Sequence, residues 1–405
     1  MTEYSERIVR IKPSIIRNLD ELLRTRPDAV NLSIGQNYLA EIPPVINEAI
    51  ANMKKPWLYN PTAGPRDVLE HVADHMNEQY KAGLAAEDII LTDGGFGGLR
   101  TSIQVLLSKN SHFIVDSPTF AYPVEAARLL NDFPYTNVHW LHGLHDKLKP
   151  DVDDLQRIVE YIRAQNCKGN IVYYTQLMFN PQAKGRTEAE VRKLVEYAES
   201  EGIILILDNV YRDLWRNEPR PFLASTFSDT GKGIIDIEAL SKNLGTMGIR
   251  VGAMISKDKE FMKYAKKAYQ FTAVCPNSTA VTIWDTLATK YSEVKPYIEI
   301  TRKRIMENID AVSNILRGVP GIKFEEPDGA IYHFFNFEDI IDSHFSNSIE
   351  LSEALIKEVG VGLVPGVAFT EPHDPIGLTY LRLNAAHKDA VEGAKRLRTF
   401  LENLK

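Results

Sequence analysis

The 405-residue sequence predicts an α/β fold in two domains, and three observations support this fold class. Apolar segments of strand length alternate with helical segments, as at 171–175, 187–201 and 203–208. That alternation is typical of a parallel sheet whose ligands lie at the carboxyl ends of the strands. A glycine-rich turn at 93–98 joins a strand to a helix, an arrangement that binds anions. After a long helix predicted over 295–317, the pattern changes to mixed strands and helices, which indicates a smaller second domain.

The composition is that of an ordinary globular protein, with 44% apolar and 25% charged residues. The net charge of −7, without a cluster of positive charge, argues against nucleic acid as a main partner. Two cysteines, Cys167 and Cys275, are too few for a disulfide framework or a zinc site, so we expect a reducing compartment and no metal. The amino terminus lacks a signal peptide, and no apolar run approaches the ~20 residues that span a membrane. We therefore expect a cytoplasmic protein without membrane contact.

The segment from Ala239 to Arg250 contains the residue around which the chain is organised, Lys242. A lysine amine that is kept neutral adds to a carbonyl to give a Schiff base, and pyridoxal phosphate supplies such a carbonyl. Eight residues later, Arg250 offers a charged fork suited to a phosphate. Taken alone, a Ser-Lys pair is more often a surface lysine near a loop. The meaning of Lys242 therefore depends on the other motifs of the chain.

The first 64 residues contain three further signals. Apolar residues from Ile15 to Leu23 recur at helical spacing after Pro13 and Ser14, which predicts a helix in an N-terminal arm. A short strand is predicted from residue 30, ending in a turn at Gly35. Tyr59 lies in the stretch 57–64, which precedes a helix predicted over 65–82.

Two strand-to-turn junctions follow. A strand at 88–92 runs into the glycine-rich turn, where the backbone amides of Gly95 and Phe96 begin a helix that extends to about residue 107. Free amides and the positive end of a helix dipole form a phosphate cradle. The strand at 112–116 leads into a Ser-Pro-Thr-Phe turn that contains Phe120.

The alternating region places polar groups after its strands. Asn180 follows the strand at 171–175, in the sequence Asn-Pro-Gln-Ala. Asp208 ends the apolar run 203–207, and a carboxylate leaving a buried strand is costly unless it meets a cation. Tyr211 comes three residues later. The next sheet strand is predicted at 251–256, and Arg382 lies in a strand predicted at 379–383, near the carboxyl terminus.

Together these motifs resemble the class I/II aminotransferases of the aspartate aminotransferase superfamily, which are pyridoxal-phosphate enzymes of fold type I. The resemblance covers nearly the whole chain, and the lysine segment departs from the family's Ser-x-Ser-Lys-x-x-Gly-x-x-Gly-x-Arg only in having Ala239 for the first serine. It implies a large domain with a mostly parallel seven-stranded sheet between helices, plus a smaller α+β domain. We expect an N-terminal arm and small-domain segment over 1–45, a large cofactor-binding domain over 46–292 and a C-terminal small domain over 293–405.

The resemblance also implies a role for each motif residue around pyridoxal 5′-phosphate. Lys242, Asp208 and Tyr211 are the implied catalytic residues: Lys242 holds the cofactor, Asp208 pairs with its pyridinium nitrogen and Tyr211 donates to its phenolic oxygen. The remaining implied cofactor contacts are Asn180 at the phenolic oxygen, Phe120 stacked on the ring, and Ser241, Arg250, Gly95, Phe96 and Tyr59 at the phosphate.

For the substrate, the resemblance implies that Arg382 grips the α-carboxylate beside Gly35 and Asn180, while Tyr38 and Ile15 line the side-chain pocket. It implies that Tyr59 reaches across a dimer interface to the partner's cofactor phosphate, so we expect a homodimer with shared active sites.

The implied reaction moves an amino group from an L-amino acid to a 2-oxo acid, with Lys242 taking and returning the α-proton. An alternative is a lyase, cyclase or oxidase that uses the same site. Departures from the family pattern at Phe96, Ala239, Gln182 and Ala183 indicate specialisation without giving its direction. A non-catalytic binding protein on this fold is a further alternative. The substrate side chain stays open, because Tyr38 and Ile15 favour an apolar or aromatic group whereas Asp20 or Glu21 would suit a basic one.

Overall fold

A computed structural model describes residues 4–9, 11, 13–55, 57–131, 133–146, 148–217 and 222–404. The strands are β1 (Val30–Asn31), β2 (Ile89–Asp93), β3 (His112–Asp116), β4 (Val138–Leu141), β5 (Ile171–Gln176), β6 (Ile204–Asp208), β7 (Ile234–Ala239), β8 (Val251–Ile255), β9 (Tyr332–Asn336), β10 (Val361–Gly362), β11 (Val364–Pro365) and β12 (Tyr380–Asn384). The helices are α1 (Glu6–Val9), α2 (Ile15–Arg24), α3 (Pro44–Ala51), α4 (Arg66–Tyr80), α5 (Gly95–Leu106), α6 (Tyr122–Asn131), α7 (Val152–Ala164), α8 (Glu188–Glu201), α9 (Lys259–Thr272), α10 (Ser278–Thr289), α11 (Tyr291–Leu316), α12 (Glu338–His344), α13 (Ser348–Val359), α14 (Pro375–Thr379) and α15 (Ala390–Asn403).

The central sheet has seven strands in the order β2-β8-β7-β6-β5-β3-β4. All neighbouring pairs are parallel except those of β8, which runs antiparallel to both β2 and β7. The mostly parallel seven-stranded sheet expected from the sequence is therefore confirmed. Its inner strands are buried on both faces, as expected for a sheet covered by helices on each side. In the register between β5 and β6, Gln176 lies opposite Asp208, so the carboxyl ends of these strands lie side by side.

A three-stranded antiparallel sheet, β11-β12-β9, holds the carboxyl-terminal strands. The short strand β1 pairs with β10, so the N-terminal arm is tied to the C-terminal part of the chain. One core cluster joins α11, α15 and the strand β9 to one face of the large sheet, and a second fills the opposite face. No helix in the described part of the chain is both long and apolar enough to cross a membrane.

Most predicted elements agree with the observed ones within two residues, and the strand at 112–116 and the helix predicted near 348–358 are examples. The long helix predicted over 295–317 begins four residues earlier, at Tyr291. The strand predicted from residue 30 is shorter than expected and ends at Asn31. The sequence patterns did not identify β7, although it is a central strand. Its Asp236 and Glu238 are buried because backbone amides and Arg212 satisfy them, an arrangement that hydrophobic periodicity does not detect. The domain boundaries stay predictions.

Candidate active site

A cavity of about 610 Å³ opens at the carboxyl ends of the central strands. The sequence-predicted residues that line it are Gly35, Gly95, Phe96, Phe120, Asn180, Asp208, Tyr211, Ser241, Lys242, Arg250 and Arg382. These residues come from segments spread over most of the chain. Loops that follow the parallel strands of the large sheet emerge at one edge and carry Phe120, Asn180, Tyr211 and Lys242, whereas Arg382 lies on β12 of the smaller sheet.

Lys242 lies in the turn that follows β7, with its side chain inside the cavity. Its ammonium nitrogen Nζ donates a hydrogen bond to the carbonyl oxygen of Gly35 and lies 5.9 Å from the centre of the Tyr211 ring. Burial lowers the pKa of the Lys242 amine, and the positive charges of Arg382 and Arg250 lower it further. A lysine whose neutral form is favoured in this way is a competent nucleophile and base.

The loop that contains Gly35 supports the lysine from the other side. The Asn37 side chain donates a hydrogen bond to the backbone carbonyl of Lys242 over 2.6 Å. Gly35 has no room for a side chain, because a Cβ atom there would lie 2.3 Å from the hydroxyl oxygen of Tyr332. The glycine predicted from the sequence is therefore required by close packing inside the cavity.

Asp208 ends β6 with its carboxylate buried, 6% exposed, at the bottom of the cavity. It accepts hydrogen bonds from the Tyr174 hydroxyl and the Val210 amide, each over 3.1 Å. Burial raises the pKa of Asp208 to about 6, although these hydrogen bonds and the charge of Lys242 act in the opposite direction. A buried carboxylate with a raised pKa is stabilised by a cation placed against it, and the cavity leaves space for one.

Tyr211 and Tyr332 form a buried pair, with 2.8 Å between their hydroxyl oxygens. Burial raises the pKa of Tyr211 well above its ordinary value, so its hydroxyl keeps its proton. Tyr332 lies on β9 and was not predicted as a site residue. The sequence placed a strand there, but no motif distinguished this tyrosine from the other aromatic residues of the strand.

Arg382 lies on β12 and is buried, 2% exposed. Its guanidinium donates to the side-chain oxygen of Asn180 over 2.7 Å and to the carbonyl of Ser33 over 2.6 Å. Its Nε has no hydrogen-bond partner among the described residues. The ring centres of Tyr332 and Phe369 lie 4.2 and 4.8 Å from its central carbon. The guanidinium is thus fixed in orientation while part of its donor capacity remains unused, which suits a carboxylate ligand.

The glycine-rich turn and Arg250 form the opposite end of the cavity. Gly94 has a φ of 75°, and α5 begins at Gly95, so the amides of Gly95 and Phe96 precede the first hydrogen bond of the turn, which Gly97 makes to the Gly94 carbonyl. A Cβ atom at Gly94 would lie 2.6 to 3.2 Å from the Arg250 guanidinium, so only glycine allows this arginine to lie against the turn. Amides, helix dipole and guanidinium together provide an anion cradle.

Phe120 and Phe96 form part of the cavity wall together with Tyr122, which was not predicted. The Phe120 and Tyr122 ring centres are 4.8 Å apart, and Phe96 meets Tyr122 edge-on at 6.4 Å. The Tyr122 hydroxyl lies 2.8 Å from the Ser14 hydroxyl at the start of α2, so this wall is connected to the N-terminal arm.

Three predicted residues lie outside the cavity lining. Tyr59 is 87% exposed on the surface of the protomer. Tyr38 packs edge-on against His387, with ring centres 4.5 Å apart. Ile15 packs against the small apolar cluster of α2, and it is Ile16 and Arg17 that reach the cavity instead. Adjacent positions on a helix face different directions, and the packing of Leu19 and Leu23 against Ile356 sets which positions of α2 face the cavity.

Two other features of the sequence also have defined positions. Gln182 donates to the carbonyl of Pro118 over 2.5 Å, so it joins two loops and does not line the cavity. Asp20, an open candidate for a basic substrate, is buried on α2 and bound to Arg24 and Asn31. It does not line the cavity either. Cavity residues that the sequence patterns missed are Ile16, Arg17, Ile34, Gln36, Leu99, Tyr122, Gln176, Val210, Met247 and Tyr332.

This donor set fits pyridoxal phosphate. The glycine turn, where a Cβ atom at Gly94 would clash with Arg250, leaves room for a phosphate. The buried carboxylate of Asp208 suits a pyridinium nitrogen. The amine of Lys242 lies in the same cavity as both. The buried Nε of Arg382, without a partner in the described chain, leaves a donor for the substrate carboxylate.

Comparison with known proteins adds independent information. The sequence model of the family described as aminotransferase class I and II matches residues 27–396. An aspartate aminotransferase of Pyrococcus horikoshii is 25% identical, covering 99% of this chain and 98% of its own. An aromatic-amino-acid aminotransferase of Thermococcus litoralis is also 25% identical, covering 99% of this chain and 95% of its own.

Solved structures share the fold over the same extent. The Thermus thermophilus aspartate aminotransferase with maleate superimposes with a TM-score of 0.85 at 20% identity, covering 98% of this chain and all of that one. An aspartate aminotransferase from Thermotoga maritima gives a TM-score of 0.82 at 23% identity, covering 99% and 100% of the two chains. The match therefore includes both the large sheet and the carboxyl-terminal sheet.

Proposed function

This chain belongs to the aminotransferase class I and II family and is an aminotransferase; we propose that it uses pyridoxal 5′-phosphate held by Lys242 to move the amino group of an L-amino acid to a 2-oxo acid. The observation that carries the proposal is that Lys242, Asp208 and Arg382 line a single cavity. Each of these side chains addresses a different part of one cofactor–substrate unit: the aldehyde carbon, the ring nitrogen and the α-carboxylate.

When bound, the cofactor supplies an aldehyde for the amino group and a ring that withdraws electrons from the α-carbon. Asp208 would keep the ring nitrogen protonated, since the raised pKa of its carboxyl falls when a cation is placed beside it. The Tyr211 hydroxyl and the Asn180 side chain would bind the phenolic oxygen. Phe120 would pack on the ring, and the amides of Gly95 and Phe96 would bind the phosphate with Ser241 and Arg250.

Arg382 binds the substrate carboxylate through a guanidinium whose plane is fixed by Asn180 and Ser33. A carboxylate held by this fixed guanidinium would keep the bound amino acid in one orientation in the cavity. Lys242, whose neutral amine is favoured by its surroundings, would take the α-proton as a base and return it as an acid. The carbonyl of Gly35 accepts a hydrogen bond from the Lys242 nitrogen and so helps to position it.

We also propose a homodimer in which Tyr59 completes the partner's phosphate site. Tyr59, Trp57 and Leu58 are 87%, 63% and 76% exposed, an apolar surface that is unfavourable in contact with water. Arg250 is also exposed in the single protomer, so the phosphate end of the cavity is open at the surface. Both cysteines are free thiols, in keeping with a cytoplasmic location.

The experiment is a single-turnover survey. Purified enzyme reconstituted with pyridoxal phosphate is mixed with each common amino acid, without a 2-oxo acid, and both the cofactor absorbance and the products are measured. One turnover per site that yields one 2-oxo acid and bleaches the band establishes amino transfer and identifies the donor. Continuous release of ammonia or of a rearranged product, with the band restored, contradicts the proposal and favours a lyase, cyclase or oxidase.

A further inference from the structure

Tyr332 lines the cavity and contacts two of its functional residues, Tyr211 and Arg382, but the proposed function gives it no role. Its hydroxyl oxygen lies 2.8 Å from that of Tyr211, and its ring lies against the Arg382 guanidinium with 4.2 Å from ring centre to central carbon. The same hydroxyl fills the space that a side chain at Gly35 would need. Tyr332 thus lies against Tyr211, Arg382 and Gly35, which all line the same cavity.

The antiparallel register between β9 and β12 places Tyr332 there. Asn384 lies opposite Tyr332 and Phe334 lies opposite Arg382, so Tyr332 and Arg382 are diagonal neighbours on one face of the sheet. Aromatic and long side chains at such diagonal positions are within reach of each other. Tyr332 is 1% exposed, so the contact is held by packing rather than by solvent.

Either hydroxyl of the pair Tyr211 and Tyr332 can be the donor in the hydrogen bond between them. Each hydroxyl carries one proton, so one proton forms this bond and the other is left to donate to a third group. When Tyr332 donates to Tyr211, the Tyr211 proton is free to point at a ligand in the cavity. When Tyr211 donates instead, the remaining proton belongs to Tyr332. A cation over the face of a phenol draws electron density from it, which favours Tyr332 as the donor.

We propose that Tyr332 is a positioning residue that sets Tyr211 as the donor to the cofactor's phenolic oxygen and transmits to it the state of Arg382. When a substrate carboxylate neutralises the Arg382 guanidinium, the guanidinium withdraws less electron density from the Tyr332 ring. The Tyr211 donor then weakens in turn, because chained hydrogen bonds polarise one another. Carboxylate binding is thereby felt at the cofactor oxygen. This inference rests on the proposed function, because it requires the cofactor in the cavity.

The test is the pH midpoint at which the absorption band of the bound cofactor changes. A strong donor at the phenolic oxygen stabilises the negative charge on that oxygen after the cofactor has lost its proton. A weaker donor stabilises that charge less, so the cofactor keeps its proton to a higher pH. In Tyr332→Phe we expect the midpoint to rise by about half to one pH unit, which corresponds to one hydrogen bond of ordinary net strength. Tyr380→Phe is the matched control, since Tyr380 lies on β12, packs on Phe334 and does not line the cavity.

The coupling is tested with maleate, a dicarboxylate without an amino group. In the unmutated holoenzyme, saturating maleate should raise the midpoint. In Tyr332→Phe that shift should be smaller, because the route from Arg382 through Tyr332 to Tyr211 is removed while the route through Asn180 remains. A folded, cofactor-loaded Tyr332→Phe with an unchanged midpoint and an unchanged maleate shift overturns the inference.

Two further outcomes are distinguishable. If Tyr332→Phe does not fold, the cycle of Arg382→Met and Tyr211→Phe replaces it: the two midpoint shifts should be non-additive, and additive shifts overturn the inference. If the unmutated protein binds no pyridoxal phosphate and shows no band, the proposed function fails, and the role of Tyr332 fails with it.

Discussion

The Tyr174 hydroxyl donates a hydrogen bond to the Asp208 carboxylate over 3.1 Å, from one parallel strand to the next. The register places Gln176 opposite Asp208. Tyr174 lies two residues before Gln176 on β5, so its side chain is on the same face of the sheet as Asp208. Tyr174 is fully buried, and burial raises its pKa well above its ordinary value, so it is a donor at every working pH. The carboxylate is therefore oriented before any cation arrives.

Asp208 gives the protein without cofactor a pH-dependent stability. The pKa of Asp208 is raised to about 6 from 3.8, so its contribution is fully present below pH 3.8 and is lost as the pH rises through about 6. That difference corresponds to on the order of 3 kcal/mol. Relative to wild type, the free energy of unfolding of Asp208→Asn without cofactor should increase between about pH 4 and pH 7, as measured by thermal unfolding at each pH. Asp153→Asn, at an exposed position in the first turn of α7, is the control. A stability difference that does not depend on pH would contradict the prediction.

Lys242→Ala should lower amino transfer by at least about a thousandfold, because the variant has neither the covalent attachment point nor the base. Bound cofactor should remain detectable through Asp208 and the phosphate cradle, without the band of the lysine-linked form. Stopped-flow absorbance with the donor found in the survey measures both effects. Lys257→Ala, on the loop after β8, serves as the control; appreciable turnover by Lys242→Ala would exclude its assigned role.

Arg382→Lys should raise KM for the amino acid about tenfold to a hundredfold. A lysine cannot reproduce the fixed fork that Asn180 and Ser33 orient, and a charged hydrogen bond contributes about 1.5–3 kcal/mol. Steady-state kinetics at saturating 2-oxo acid measures the change. Arg396→Lys, at an exposed ion pair with Glu392, should leave KM unaltered. Equal KM values for both variants would mean that the carboxylate binds elsewhere.

Ala239→Ser should strengthen cofactor binding. Ala239 lines the cavity at the end of β7, where the resembled family has a serine that contacts phosphate. One added hydroxyl donor to a charged group corresponds to about a tenfold lower Kd. Equilibrium dialysis against pyridoxal phosphate measures it, with Ala253→Ser on β8 as a buried control outside the cavity. If the affinity of Ala239→Ser does not rise, the phosphate does not lie beside this position.

Tyr59→Phe should weaken cofactor binding several-fold without changing the oligomeric state, because the variant removes one hydroxyl and keeps the exposed ring. Dialysis measures the Kd, and analytical ultracentrifugation measures the mass. Tyr264→Phe, a second exposed tyrosine on α9, is the control. A monomeric holoenzyme, or a Kd equal to that of wild type, would remove Tyr59 from the phosphate site.

The alternation of strands and helices, the ends of the strands and the motif residues at those ends could be predicted from the sequence alone. Apolar runs that end in a polar group, such as 203–207 before Asp208, are local signals, because the change from apolar to polar residues marks where a buried strand ends. The glycine turn before α5 is also a local signal, because the positive φ of Gly94 favours glycine at that position.

Which faces of the helices and strands pack together becomes clear from the three-dimensional structure and not from the sequence. Ile16 and Arg17 reach the cavity where Ile15 was expected, because the rotation of α2 is set by packing and not by its own period. Tyr332 enters the site through the register of β9 on β12, a pairing between segments about fifty residues apart that leaves no local mark. The acids of β7 are buried by partners elsewhere in the chain. Such contacts depend on long-range packing, which a single sequence does not encode as a periodic pattern.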